Sequence, residues 1–242
     1  QSLAQYEKLL SQRLYTSQIS INMGKAYTLL GNYVRAMNCF RRVDPKVLPG
    51  VYNEMANTQL LANNPDSAGF YLDRFWTGYK KNPDRFNKLD EGINHIYRSD
   101  WLNHQKQHLQ ALQHLQKAII IFSGSFDNTD ITSNPANFAG SFASYKLFDA
   151  LFRKAHSFEL LYHAESKNEY LLSAFGTYQH TISLLGYIEK SYDTDDAKIF
   201  LKKNSQQVYD NAFGICMELV KKFPRENYIE KAFLVTEKNK AS

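Results

Sequence analysis

Small and apolar side chains recur at helical spacings along most of the chain, and the segment from residue 24 to residue 43 shows this most clearly. Its sequence, GKAYTLLGNYVRAMNCFRRV, places them mostly three or four positions apart on both sides of Gly31 and Asn32. Residues three and four apart lie on one face of an α-helix, so each half of the segment predicts a helix. Gly31 or Asn32 would permit the turn between the two helices. The segment therefore predicts a helical hairpin.

The pattern of this hairpin returns, more weakly, at an offset of 32 residues. Internal similarity of this length is typical of arrays of helical repeats. Gly24 and Ala36 would be the points where the two helices of a hairpin approach closely. Because one hairpin cannot bury its apolar face alone, neighbouring hairpins are expected to stack. The matched pairs are Ala36 with Ala68, Phe40 with Leu72, Val43 with Phe75, Gly31 with Asn63, and Tyr33 with Pro65.

The later part of the chain extends the helical pattern with a break in the middle. Residues 84–104 predict one long helix or a helix interrupted near Ser99, and a third copy of the second-helix spacing follows at Ala111, Leu115 and Ala118. The polar segment SGSFDNTDITSNPANFAGS predicts a long, flexible loop. We expect regular repeats over 1–122, this polar loop over 123–141, and longer, degenerate hairpins over 142–242, all in one continuous array. The longer helices are predicted at 142–165, 168–191, 195–223 and 226–240.

The composition agrees with a folded helical protein. Hydrophobic residues make up 43% of the chain and charged residues 22%, which is typical of a sequence that folds around a core. The 6 prolines and 11 glycines cluster between the apolar-periodic segments, which favours long helices over a β protein rich in turns. The formal net charge of +5 permits an acidic partner without requiring one.

The sequence has no run of about 18 apolar residues, the length that a membrane-spanning helix needs. The most apolar string, KAIIIF, is too short. No signal peptide is visible, so we expect no membrane span in this segment and favour a cytoplasmic location. The chain begins with Gln and ends within a helical pattern, so both ends look cut. We therefore expect a piece of a longer protein.

Candidate metal ligands are few. His104, His108 and His114 lie close together, but no carboxylate or cysteine completes a metal-binding set, so a solvated polar face is the favoured interpretation. A second candidate, a group of Asp and Asn residues in the loop, does not have the spacing of a calcium-binding loop. We expect no bound metal and no cofactor. This loop group consists of Asp127, Asn128 and Asp130.

The cysteines and the basic pairs are also interpreted structurally. Cys39 and Cys216 cannot by themselves form a disulfide framework or a zinc site, so both are expected to be small buried residues. Several basic pairs fall near predicted helix C-termini, where positive charge is favourable. No aromatic–basic motif accompanies them, so nucleic acid is not an expected partner. The pairs are Arg41–Arg42, Lys80–Lys81, Lys202–Lys203 and Lys221–Lys222.

Residues 17–48 resemble the tetratricopeptide repeat (TPR), a helical hairpin of 34 residues, and residues 49–82 resemble it less well. Ser20 and Met23 depart from the family pattern, which usually has Trp and Leu near the start. In the second copy, Pro65 suits the first helical position and Asn64 its N-cap. The resemblance implies an all-α fold, a right-handed superhelical solenoid of TPR-like helical hairpins. The matching positions are Gly24, Tyr27, Gly31, Tyr33, Ala36 and Phe40.

The TPR resemblance also implies a binding surface. Arrays of this family bind peptides or helices in a concave groove lined by side chains of the first helix of each repeat. A set of Asn and Lys side chains there could hold a peptide backbone or a carboxylate. In register with the family, the positions are Gln18, Ile21, Lys25 and Thr28 in one repeat, and Asn53 and Asn57 in the next.

The segment from Asn134 to the end resembles the region just upstream of CHAT domains. These are caspase-like cysteine peptidase domains that follow TPR arrays in many bacterial proteins. The similarity rests on Asn134–Pro135, on LFDALFRKA (147–155), on two long helical strings, and most specifically on YIEKAFLVTEKNKAS (228–242). The family's peptidase needs a His and a Cys in a strand-rich domain, and no such pattern lies here. Cys216 has no His near it in sequence, so this segment itself is expected to be non-catalytic.

The two resemblances together imply a protein-interaction scaffold that serves as the sensor or regulatory arm of a CHAT-type peptidase. A protein or peptide would occupy the groove, and the peptidase domain would be covalently attached after Ser242. The alternative is a stand-alone TPR adaptor with no attached enzyme. The sequence that follows Ser242 would distinguish the two.

Overall fold

The computed structural model describes residues 5–6, 16–191 and 194–241 of the chain. Ten α-helices and one 3-10 turn, Pro83–Arg85, span residues 16–241, and no strand occurs among the described residues. The all-α fold class is therefore confirmed. No helix within the described ranges is both long and apolar enough to cross a membrane. The helices are α1 (Thr16–Leu29), α2 (Tyr33–Phe40), α3 (Val51–Leu61), α4 (Pro65–Lys81), α5 (Lys88–His104), α6 (His108–Ser123), α7 (Ser144–Glu165), α8 (Asn168–Ser191), α9 (Asp195–Lys222) and α10 (Tyr228–Ala241).

The chain divides into two compact units, Gln1–Gln105 and Lys106–Ser242. In the first unit, α1 packs on α2 and α3 packs on α4. The first helices of these hairpins also meet, because α1 contacts α3 and α3 contacts α5. In the second unit, each helix from α6 to α9 packs on the one that follows it. Helix α6, which carries the third copy of the second-helix spacing, belongs to the second unit.

The hairpin of α1 and α2 has the close approach that its small residues predict. Ala36 and Phe40 are fully buried, and a Cβ atom added to Gly24 would lie 2.3 Å from Cε1 of Phe40. Any larger residue at position 24 would therefore push the phenylalanine ring away. Gly31 has a φ of 72°, and the Asn32 side chain accepts a hydrogen bond from the Arg35 N–H at 3.3 Å. Both residues of the Gly-Asn pair thus form the turn, one by its backbone and one as a helix cap.

Four turns between consecutive helices contain a residue with a φ of 57° to 72°: Gly31, Asn63, Lys106 and Ser166. In each case the residues 5, 9 and 12 positions later are at most 4% exposed. The repeat in the sequence is therefore also a repeat of local backbone geometry. The buried residues are Ala36, Phe40 and Val43; Ala68, Leu72 and Phe75; Ala111, Leu115 and Ala118; and Leu171, Phe175 and Tyr178.

The fourth copy differs from the other three in its residue types. Its first buried position is occupied by Leu171 instead of a small residue, and its turn residue is Ser166. Serine seldom adopts positive φ, so the sequence carries no signal for a turn of this type. This copy is recognisable only from the backbone.

The four helices predicted for the second unit are confirmed to within two residues at each end. Tyr178 on α8 is among the largest fully buried side chains there, and its hydroxyl donates to the Glu159 carboxylate on α7. The Asn211 amide on α9 donates to the same hydroxyl at 3.1 Å. Burial, and then the Glu159 charge, raise the pKa of Tyr178 above its usual range. One phenol thereby joins three successive helices.

Two finer predictions concern helix boundaries in the first unit. Helix α5 runs without interruption through Ser99, so the first of the two alternatives for residues 84–104 is confirmed. Pro65 occupies the first turn of α4 and Asn64 its N-cap, as predicted. The Asn64 side chain makes no capping hydrogen bond, however, and its amide donates to Gln59 Oε1 at 3.2 Å.

The predicted long loop is present, because residues 124–143 connect α6 to α7 without helix. Pro135 and Phe138 within it are buried. The Phe138 ring lies 5.9 Å from that of Tyr187 on α8, centroid to centroid. The loop is therefore packed against helices of the second unit along part of its length.

Candidate partner-binding surface

The six side chains predicted to contact a partner lie on two helices that touch each other, Gln18, Ile21, Lys25 and Thr28 on α1, and Asn53 and Asn57 on α3. We call these six residues the first-helix surface. Three of them are accessible: Gln18 and Lys25 are exposed, and Asn57 is half-buried. The other three, Ile21, Thr28 and Asn53, are buried. The fold thus uses half of the predicted set for its own packing.

The buried members of the first-helix surface hold the helices together. Ile21 belongs to the apolar core around Phe40. The Thr28 hydroxyl lies 2.8 Å from that of Thr58, which joins α1 to α3. Such paired hydroxyls satisfy each other where water is excluded. For Ile21 and Thr28, therefore, the packing interpretation accounts for the residue type.

Asn53 performs the same task between α3 and α5. Its amide donates to the Asp90 carbonyl at 2.8 Å, and its Oδ1 accepts from the Asn94 amide at 2.7 Å. Asn53 is 1% exposed and Asn94 is fully buried. A buried amide with both ends bonded specifies the separation and register of two helices. A substitution at Asn53 would therefore disturb folding as well as any partner contact.

Lys25 on the first-helix surface and its neighbour Glu54 together place charges of both signs there. Lys25 Nζ lies 3.0 Å from Glu54 Oε1, so the one lysine of the predicted set already has a carboxylate partner. Burial, and then the Glu54 charge, raise the pKa of the nearby Asp90 carboxyl, while a hydrogen bond from Asn87 and the Lys25 charge oppose that rise. A carboxylate from a partner would have to compete with Glu54 for Lys25. Backbone N–H groups or a cation of a partner would instead find acceptors on Glu54 and Asn57.

The second unit contains a polar cluster that no local sequence pattern indicates. Lys154 on α7 is fully buried, and its ammonium donates to Gln116 Oε1 at 2.7 Å, to the Ser133 carbonyl at 2.7 Å and to Asn134 Oδ1 at 2.9 Å. Three acceptors match the three protons of a lysine ammonium. Burial lowers the pKa of Lys154 to about 7, and the charge of Asp130 opposes this shift.

The Lys154 cluster fastens the loop of residues 124–143 to the helices. Gln116 on α6 donates to the Asn128 carbonyl at 2.6 Å, and Asn134 donates to Thr177 Oγ1 on α8 at 3.2 Å. Asp130 caps its own turn by accepting from the N–H and the hydroxyl of Thr132 at 2.8 and 2.9 Å. These contacts give the polar residues of the loop a structural use. The cluster joins residues that are up to 61 positions apart, Gln116 and Thr177, so no local motif announces it.

The candidate metal ligands and the two cysteines remain to be placed in the fold. The described residues contain no group of three or more His, Cys, Asp or Glu side chains that could hold a metal ion. Helix α5 ends at His104 and α6 begins at His108, so the two histidines lie on different helices. Both cysteines are free and buried, as predicted, and burial raises the pKa of each thiol. The Cys216 thiol donates to the Tyr228 carbonyl at 3.2 Å.

The geometry thus offers a mixed-charge surface on α1 and α3 and a sealed polar cluster beneath the loop. The accessible residues of the surface were predicted from the family register, whereas the cluster depends on contacts between distant positions. No protein-family model, no curated protein and no solved structure matches this chain.

Proposed function

We propose that this protein is a protein-interaction scaffold, built as a TPR-like solenoid whose first-helix surface receives a protein or peptide. The observation that carries the proposal is the arrangement of α1, α3 and α5. These three helices contact each other in series, and polar side chains join them. Stacked helices of this kind present a long, rigid face, and a rigid face binds a partner without an ordering cost of its own.

The accessible groups on that face suit recognition better than chemical turnover. Lys25, Glu54 and Asn57 supply one donor cation, one acceptor anion and one amide at a surface. Groups of this mixture hydrogen-bond a peptide backbone or polar side chains. Both thiols in the chain have raised pKa values and are buried, which is the opposite of the environment that activates a cysteine nucleophile.

The proposal includes a larger assembly, in which the chain is the sensor or regulatory arm of a CHAT-type peptidase. Helix α10 supports it with an exposed apolar stripe, since Ile229 and Phe233 lie four residues apart and are 68% and 61% exposed. Apolar side chains grouped in this way are typical of a surface that another domain covers. In this proposal the peptidase domain packs on α10, and occupation of the first-helix surface is transmitted through neighbouring hairpins.

The alternative is a stand-alone TPR adaptor. The intact mass of the natural protein, with peptide sequencing beyond Ser242, separates the two. A further domain with a His and a Cys in strand-rich sequence supports the regulatory arm. A natural mass near the 28.0 kDa of this chain supports the adaptor and rules out the attached peptidase.

A triple substitution tests the scaffold itself. Gln18→Ala, Lys25→Ala and Asn57→Ala remove accessible groups without touching the buried members of the first-helix surface. Proteins captured by the wild-type chain and identified by mass spectrometry should be lost by this variant. The control removes three exposed side chains of similar type and the same charge from α2 and α4, by Asn38→Ala, Ser67→Ala and Lys80→Ala. Equal capture by both variants and the wild type would contradict the assignment of the surface.

A further inference from the structure

A cleft of about 350 Å³ opens in the first unit at the end of the α3/α4 hairpin that lies away from its turn. It is formed by the loop after α2, the start of α3, the last turns of α4 and the 3-10 turn. Four positively charged side chains line it, and none of the residues that line it is acidic. The cations are Lys46, Arg74, Lys81 and Arg85, and the aromatic residues are Tyr52 and Phe86.

The side chains of the four cations have no carboxylate partner within the described part of the chain, although the backbone N–H of Lys46 donates to the Asp44 carboxylate at 2.8 Å. None of their side chains forms an ion pair or a hydrogen bond there, and Arg74 only lies over the Phe70 ring at 5.0 Å. The neighbouring Asp73 is engaged by Arg98 at 2.7 Å. Positive charges that converge without a partner repel one another and raise the local concentration of anions. The cleft is therefore an anion-attracting site.

The floor of the cleft is apolar and well supported. The Phe86 ring packs edge-on against Phe75, 4.9 Å between centroids, and against Tyr79 at 5.5 Å. Pro45 and Pro49 complete the apolar lining. A ring held by two others offers a preformed contact for an apolar side chain. The site thus combines cations with a fixed apolar floor.

We propose that this cleft binds an acidic peptide segment of a partner protein, in which carboxylates flank an apolar side chain. The guanidinium groups of Arg74 and Arg85 bind carboxylates with two parallel hydrogen bonds each, and the apolar side chain lies on Phe86. The volume is at the lower end for ligand sites, which suits a few side chains. The cleft shares no residue with the first-helix surface, so the proposal goes beyond the scaffold function.

Two other anions fit the cleft less well. A nucleic-acid strand is bound along a positive groove that follows several nucleotides of its backbone, which is longer than a cleft of about 350 Å³. A small inorganic anion would leave the aromatic floor unused. Both are included as competitors in the test below.

The test uses the 242-residue chain and a fluorescein-labelled peptide, Glu-Glu-Leu-Glu-Glu, with binding measured by fluorescence anisotropy at low salt. Saturable binding is expected, and Lys81→Glu should weaken it by about tenfold. The matched control is Lys80→Glu, which makes the same charge change on the adjacent exposed residue of α4 that does not line the cleft. It should change the affinity by no more than about twofold. Far-UV circular dichroism verifies that both variants are folded.

Several outcomes would overturn the proposal. They are equal weakening by Lys80→Glu and Lys81→Glu, equal binding of a peptide with Gln in place of Glu, and no binding at about 1 mM peptide. Displacement of the peptide by pyrophosphate or single-stranded DNA at lower concentrations than by unlabelled peptide would assign the cleft to those anions instead. None of these results bears on the first-helix surface, because the Gln18, Lys25 and Asn57 variant tests that surface separately.

Discussion

The two units use similar polar side chains in different ways. In the first unit, Thr28, Asn53 and Lys25 each bond across one helix–helix contact. In the second unit, Lys154 gathers a glutamine, an asparagine and a backbone carbonyl around one fully buried ammonium. Pairwise contacts near a surface leave some groups free for a partner, whereas a sealed cluster leaves none. In the proposed scaffold, recognition would therefore lie in the first unit, whereas the Lys154 cluster holds the long loop of the second unit.

The largest effect is expected from Lys154→Met, which tests how much the buried cluster contributes. Methionine fills a similar volume but leaves three acceptors without their donor, so the free energy of unfolding should fall by about 3 kcal/mol. Urea denaturation followed by circular dichroism measures this, and limited proteolysis should detect new cleavage within residues 124–143. Lys146→Met on the same helix is the control, because its ion pair with Asp149 is 3.7 Å long and more than a third exposed. A loss of less than about 0.5 kcal/mol at Lys154 would contradict the proposed contribution.

The stability difference between the wild type and Lys154→Met should also change with pH, and this change should be somewhat smaller than the difference itself. Because the folded-state pKa of Lys154 is about 7, below its unfolded value, the unfolded chain binds more protons between about pH 7 and pH 10. The stability of the wild type relative to Lys154→Met should therefore rise with pH, by about 2 kcal/mol between pH 6.5 and pH 9. Urea titrations of both proteins at several pH values measure it. A flat difference would mean that the three acceptors keep the ammonium charged at its usual pKa.

A smaller effect is expected in the first unit from Asn53→Ala. The substitution leaves the Asn94 amide and the Asp90 carbonyl without their partner and should cost about 1–2 kcal/mol. Asn57→Ala is the matched control on the same helix, since the Asn57 side chain makes no hydrogen bond within the described residues and should change stability by about 0.5 kcal/mol or less. Equal effects at the two positions would remove the distinction between packing and accessible residues of the first-helix surface.

The helices could be predicted from the sequence because helix formation depends on spacings of three and four residues. The hairpin around Gly31 and the four long helices after residue 141 all follow from such local patterns. The backbone turn at Ser166 could not be predicted, because a serine with positive φ depends on the packing of the helices on either side.

The candidate sites were predicted only in part, because they depend on contacts between distant segments of the chain. Register alone placed Gln18, Lys25 and Asn57 at accessible positions, but it could not show that Asn53 bonds to α5. The basic cleft combines residues from position 45 to position 86, and the Lys154 cluster combines residues from four segments, α6, the loop, α7 and α8. Contacts of this range arise from the tertiary fold, and hydrophobic periodicity contains no information about them.

The burial of Lys154 gives the chain an internal reporter for mass spectrometry. A fully buried amine is protected from acylating reagents such as acetic anhydride until the surrounding structure opens. The acylation rate of this single residue, compared with those of the exposed lysines, therefore records how often the loop of residues 124–143 separates from the helices beneath it.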